Sequence, residues 1–177
     1  MTMAVAKMTE FRLLDDAEVK EVNEFYRQEI NFLQSLDYDN WVANFDPAVR
    51  YHVVTCLSTM PGYEPGSTPG EVNYYDEDMP SLRLRFRKMR SEMAWTESPP
   101  ARRRYFYQLL DYGTDGEVID VSTNVLVLLS RGDEQDNNFA GVRRDRFVRR
   151  NGSLALLHRR VELDRTIVVD RFLNTFF

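Results

Sequence analysis

The chain has 177 residues, 43% of them hydrophobic and 12% aromatic, with a formal net charge of -5 and a pI near 5.2. That length closes one substantial core and is short for two, so a single domain over residues 1–177 is expected. The acidic balance argues against a dedicated nucleic-acid binder, which presents a basic surface, and directs attention to protein partners. No apolar run approaches the ~20 residues that span a bilayer, and MTMAVAKMTE has no hydrophobic signal core, so a cytoplasmic protein without a membrane association is expected. The one cysteine, Cys56, allows no disulfide within these residues and fits a reducing compartment.

A loose tail is expected over residues 1–12, after which Asp15 or Asp16 is placed to cap a helix. Val19, Val22, Tyr26, Ile30 and Leu33 share one face of it over about five turns. A short second helix is expected from Asp39 to Phe45, ending before Pro47 because proline disfavours helical geometry in the residue ahead of it. Val49–Leu57 reads as a strand. Residues 58–80, STMPGYEPGSTPGEVNYYDEDMP, read as a long Pro/Gly-rich loop. It is either a solvated excursion or an arm gripping a neighbour through Tyr63, Tyr74 and Tyr75.

Next, Leu82, Leu84 and Phe86 alternate with Arg83, Arg85 and Arg87 as in a strand, while Leu82, Phe86, Met89 and Met93 line one helical face. The helical spacing runs further, and arginine and methionine favour helix. Four strands follow: Arg103–Tyr112, Glu117–Leu129, Asn137–Arg150 and Leu154–Arg171. Gly113 to Gly116, Arg131 to Asp136 and Asn151-Gly152 join them, the last a tight-hairpin signal. Long strands with short connections make an antiparallel meander, and helices ahead of one curved sheet make an α+β domain with the helices on the concave face.

Three constellations bear on chemistry. His52 and Cys56 on one strand lie about 13 Å apart, too far to share an ion. His158 on a neighbouring strand adds a second imidazole, but ordinary hydrogen-bonded histidines fit better than an iron facial triad. A second reading is acid–base catalysis inside a cone, with His52 or His158 beside Asp37, Asp39 or Tyr26, as in a stand-alone isomerase or dehydratase. The third feature is the run from Arg143 to Arg150. Alternation sends Arg144, Arg146 and Arg150 to one face and Arg143, Asp145, Phe147 and Arg149 to the other. A solvated strand face and a carboxylate-binding protein interface both remain open, with nucleic acid a poor third.

The segment Ala94-Trp95-Thr96-Glu97-Ser98-Pro99-Pro100-Ala101-Arg102 resembles the AW-x-E-x-PP-S-R segment of the small (beta) subunits of Rieske-type aromatic-ring-hydroxylating dioxygenases. FYRQEINFLQSLDYDNWVANFDPAVRY resembles their opening helix and tryptophan-containing turn. Phe139 to Asp145 and Arg159 to Asp164 resemble two of their strands, and Asn174-Thr175-Phe176-Phe177 is similar to their N-L-x-x-F-F ending. Five motifs in order cover nearly the whole chain from Asp15. Ala101 departs from the usual serine, and Leu156-Leu157-His158 from Ile-Ala-Arg.

The resemblance implies a cone-shaped α+β fold of the nuclear-transport-factor-like (cystatin-like) type, with a long curved sheet wrapped around N-terminal helices. It implies an assembly of three large and three small subunits, served by a ferredoxin and a reductase. The large subunit then carries the Rieske [2Fe-2S] cluster, the mononuclear non-haem iron and the aromatic substrate. Residue counting agrees: those centres together need two cysteines and four histidines, and this chain has one cysteine and two histidines. No catalytic, cofactor-binding or metal-ligating residue is therefore assigned here. The interface anchors expected are Trp95, Arg102, Arg103, Arg104, Arg144, Arg146 and Phe177.

Overall fold

In the computed structural model, which describes residues 11–56, 71–89, 101–131, 135–164 and 175–177, ten elements follow in order. They are β1 (Arg12–Leu13), α1 (Asp16–Ser35), α2 (Tyr38–Ala43), β2 (Phe45–Cys56), β3 (Glu71–Asp78), α3 (Met79–Met89), β4 (Arg102–Thr114), β5 (Val118–Arg131), β6 (Gln135–Arg150) and β7 (Ser153–Leu163).

Local chemistry sets the ends of α1. Asp15 accepts from the Glu18 amide at 2.9 Å, and Glu18 accepts in return from the Asp15 amide at 3.0 Å, a capping box. Arg12 closes on the same Glu18 carboxylate at 2.7 and 2.8 Å. That guanidinium, helped by the Asp15 amide, pulls the Glu18 carboxyl down to about 2. Leu36 ends the helix in the left-handed region at φ 61°. Asp37 then caps α2, accepting from the Asn40 amide at 3.4 Å.

The strands form one seven-stranded sheet in the order β1-β4-β5-β6-β7-β2-β3, antiparallel except where β2 runs parallel to β7. Asn151 at φ 51° and Gly152 at φ 83° make the hairpin between β6 and β7, as the dipeptide predicts. Gly141 lets those strands approach, since a Cβ there would run into the backbone of Glu162 and Leu163. The helices lie on the concave face: Phe25 meets Phe147 at 4.8 Å and Tyr26 meets Tyr107 at 4.9 Å, ring centre to ring centre. Trp41 of α2 is fully buried, 4.9 Å from Phe45.

The structure corrects the sequence reading at four places. The tail expected over 1–12 ends earlier, because Arg12 and Leu13 pair with Thr114 and Gly113 on the otherwise open edge of β4. The loop expected over 58–80 gives way to β3 at Glu71, where pairing with the free edge of β2 outweighs the poor strand propensity of its acidic residues. The second helix stops at Ala43, and Phe45 already opens β2. Pro47 is tolerated in that strand because the ladder to β7 breaks between Phe45 and Arg50 and the ladder to β3 begins only at Arg50. The last strand, expected to reach Arg171, is a strand as far as Leu163, and residues 165–174 lie outside the described residues.

Candidate functional site: the cone interior and the outer sheet face

Four charged side chains meet inside the cone. Glu29 comes from α1, Arg143 and Asp145 from β6, and Arg159 from β7, and all four are buried. Arg159, with 0% of its surface exposed, is the hub. It donates to Asp145 through Nε and Nη2, each at 2.7 Å, and to Glu29 through Nη1 at 2.6 Å and Nη2 at 3.1 Å. Its Nη1 also donates to the Phe177 carbonyl at 2.6 Å. The Trp41 indole donates to Glu29 at 2.8 Å and the Tyr26 hydroxyl to Asp145 at 3.0 Å.

Arg143 completes the group, 3.1 Å from Glu29 and 3.3 Å from Asp145, with its guanidinium 4.3 Å from the centre of the Tyr26 ring. Among the described residues, two cations therefore face two anions. Burial pushes the Asp145 carboxyl upward, but Arg159 and Arg143 outweigh it and hold the group below the ordinary carboxylate range. Burial, followed by the nearby Asp145 charge, pushes the Tyr26 phenol well above its ordinary value, so it stays a neutral donor.

Among the described residues, the space beside this cluster leaves little room for a substrate. The space beside Arg143, bounded by Tyr26, Ile30, Leu33, Tyr105 and Tyr107, is about 10 Å³, enough for about one water. Neither histidine reaches it. His52 and His158 sit on the outer, convex face, rings 5.3 Å apart, with His52 Nε2 2.8 Å from Asp76. Burial, then His52 and Arg146, lowers the His158 imidazole. Asp37 is engaged in capping α2, and Tyr26 in holding Asp145. Among the described residues no three His, Cys, Asp or Glu side chains come together as a metal site, and no helix is long and apolar enough to cross a membrane.

The expected interface residues divide by position. Arg102 and Arg104 are exposed on the outer face of β4, while Arg103 between them is turned inward and only 5% exposed. Arg144 and Arg146 also point outward, already paired with Glu162 at 2.8 Å and Asp120 at 2.9 Å. Phe177 is a correction: it is fully buried against its own chain, 5.6 Å from Phe139, because Arg159 and Tyr51 hold its backbone inside the cone. Arg103 is corrected likewise, its inward position following from strand alternation. Trp95 lies outside the described residues.

Sequence reasoning missed Glu29 and the Phe106–Leu126 pair. Glu29 stands at i+3 from Tyr26 and i−4 from Leu33, on the apolar stripe of α1, which signals a buried carboxylate in need of a cation. Phe106, Leu126 and Ala140 are cross-strand neighbours on the outer face, with Phe106 53% and Leu126 37% exposed. The alternation of β4 carries that signal, because inward Tyr105 and Tyr107 leave Phe106 outside. Beside this face, Phe11, Asp111, Gly113, Ser122 and Arg144 border an open groove of about 230 Å³.

The chain matches the family model described as ring hydroxylating beta subunit over residues 28–170. It is 26% identical to the benzene 1,2-dioxygenase subunit beta of Pseudomonas putida, covering 89% of this chain and 87% of the relative. Against the biphenyl 2,3-dioxygenase subunit beta of Rhodococcus jostii it is 27% identical, covering 93% and 91%. A chain of naphthalene 1,2-dioxygenase shares the fold with a TM-score of 0.82 at 22% identity, over 93% of this chain and 88% of that one. The α+β sheet wrapped around its helices and the match over most of its length agree, and the chain belongs to the family of ring-hydroxylating dioxygenase beta subunits.

Proposed function

We propose that this chain is a scaffold within a cytoplasmic terminal oxygenase of three large and three small subunits, whose large subunits cis-dihydroxylate an aromatic hydrocarbon. The Rieske [2Fe-2S] cluster and the mononuclear iron belong to the large subunit, and a ferredoxin and a reductase supply its electrons. The observation that carries this reading is the cone interior: among the described residues four buried charges neutralise one another and aromatic rings pack around them, with a space of only about 10 Å³ beside Arg143, which supports a packing role. The stand-alone isomerase reading needs a histidine in that interior, and both histidines face outward.

The partner face in this proposal is the outer surface of β4, β5 and β6. Phe106, Leu126 and Leu110 supply its apolar part, and Arg102, Arg104, Arg144 and Arg146 rim it, the composition typical of stable interfaces. Such an obligate contact buries upwards of about 2,000 Å². The test is co-expression with the large subunit encoded next to it, followed by mass and iron measurement. Equal amounts of both chains should co-purify, with iron present only when the large subunit is. The pair Phe106→Asp and Leu126→Asp should cut that co-purification at least tenfold and move the free chain's melting temperature by only about 2 °C. An iron-free chain that ignores the large subunit and turns over a small ketone would sink the proposal.

A further inference from the structure

Residues 175–177 lie in the cone like a bound peptide. The Phe176 ring has five aromatic neighbours among the described residues: Trp41 and Phe86 at 5.0 Å, Tyr38 at 5.5 Å, Tyr75 at 5.8 Å and Tyr51 at 6.1 Å. All five present an edge or a tilted face, the geometry in which ring quadrupoles attract. Side chains hold the backbone on either side. Tyr75 donates to the Thr175 carbonyl at 3.3 Å, Tyr51 accepts from the Phe177 amide at 2.7 Å and donates to its carbonyl at 3.0 Å, and Arg159 donates to the same carbonyl.

The cage is assembled by other elements and does not depend on Phe176 for its walls. Tyr38 and Trp41 stand on α2, Tyr51 on β2, Tyr75 on β3 and Phe86 on α3, and these rings also meet one another: Tyr38 stacks on Phe86 at 4.9 Å and Trp41 lies 5.7 Å from Phe86. An apolar cavity with preformed walls stays dry when its filler is removed and admits a ring of matching size.

We propose that this cage is a binding site for a small apolar monocyclic aromatic, which residues 175–177 occupy in cis as an intramolecular ligand. Access requires Phe176 to leave, so the wild-type chain keeps the site shut. This proposal is tested apart from the scaffold reading: it concerns ligand uptake at Phe176, whereas the scaffold reading is tested by co-purification through the outer face.

The test uses the full chain with Phe176→Ala and toluene as the probe, read by thermal melting and by isothermal titration. Toluene should raise the variant's melting temperature saturably, with one site per chain, and leave the wild type unmoved. A folded Phe176→Ala chain that toluene does not stabilise overturns the proposal, as does an equal response in the wild type. If Phe176→Ala does not fold in buffer, saturating toluene should restore its near-ultraviolet circular dichroism. Failure to do so while Phe176→Leu folds also overturns the proposal.

Discussion

Replacing Arg159 with methionine keeps much of its length and removes its charge and donors. The wild-type cluster is balanced, Arg143 and Arg159 against Glu29 and Asp145. In the variant two buried carboxylates share Arg143 alone, at 3.1 and 3.3 Å, and the Phe177 carbonyl loses its donor at 2.6 Å while keeping the Tyr51 hydroxyl at 3.0 Å. Removing one partner of a buried, hydrogen-bonded ion pair costs about 3–5 kcal/mol. At about 2–4 °C per kcal/mol for a domain of this size, the melting temperature should fall by about 6–20 °C.

The same change leaves a signature in pH. In the wild type the Asp145 carboxyl is held below its usual 3.8, so its contribution to stability is present above 3.8 and lost as pH falls through the folded value. Without Arg159 the effect of burial is opposed only by Arg143 and the Tyr26 hydroxyl, and Asp145 takes up its proton at a higher pH. The penalty measured by urea melts should therefore shrink between neutral pH and about pH 5. Adding Asp145→Leu should recover part of the loss, because Arg143 and Glu29 then balance. A neutral-pH penalty below about 1 kcal/mol, the range of an exposed pair, or one that grows on acidification, refutes this account.

Gly141→Ala drives a methyl into the Glu162 backbone and should destabilise the chain by about 1–3 kcal/mol in urea melts, whereas an unchanged midpoint would mean that β6 and β7 can separate. Asn151→Val places a β-branched residue at φ 51° and should cost about 1–3 kcal/mol, with Asn151→Gly nearly neutral in the same assay. Burial first, then His52 and Arg146, keeps the folded His158 imidazole below its usual 6.5. The unfolded chain therefore binds the extra proton, and stability present above 6.5 is lost as pH falls through that window. His158→Gln should flatten the fall in urea midpoint between about pH 7 and pH 5; an identical slope in both proteins would count against it.

Signals local to the chain were legible. The stripe of α1, its acidic cap and the Asn151-Gly152 turn each rest on interactions within a few residues, and all three appear as predicted. The alternation of Arg102 to Arg104 also holds, with the middle residue inward. β3 was hidden because its stability comes from an edge supplied by β2 across the intervening residues 57–70, and acidic residues mask that in any local window. The charge cluster was hidden for the same reason at longer range: Glu29 and Arg159 are 130 positions apart. Phe177 misled because an aromatic beside arginine-rich strands reads as an exposed anchor unless one knows which donors await its backbone.

The cluster bears on register as well as stability. Buried ion pairs add little net stability over apolar packing, because desolvation offsets most of their attraction. What they do well is penalise the wrong arrangement. On β7, Arg159 faces Glu29 and Asp145 while its neighbour Arg160 reaches outward to Glu162 at 2.9 Å. A slip of one residue between β6 and β7 would exchange their faces. His158 or Arg160 would then meet the two carboxylates from a shifted backbone, and Arg159 would be turned out to solvent. Hydrophobic alternation alone discriminates weakly here, since Leu154, Ala155 and Leu156 are all buried in succession at the start of the strand. The carboxylates of Glu29 and Asp145 therefore do for β7 what a strict apolar pattern does elsewhere: they admit one register and leave charges unpaired in the others.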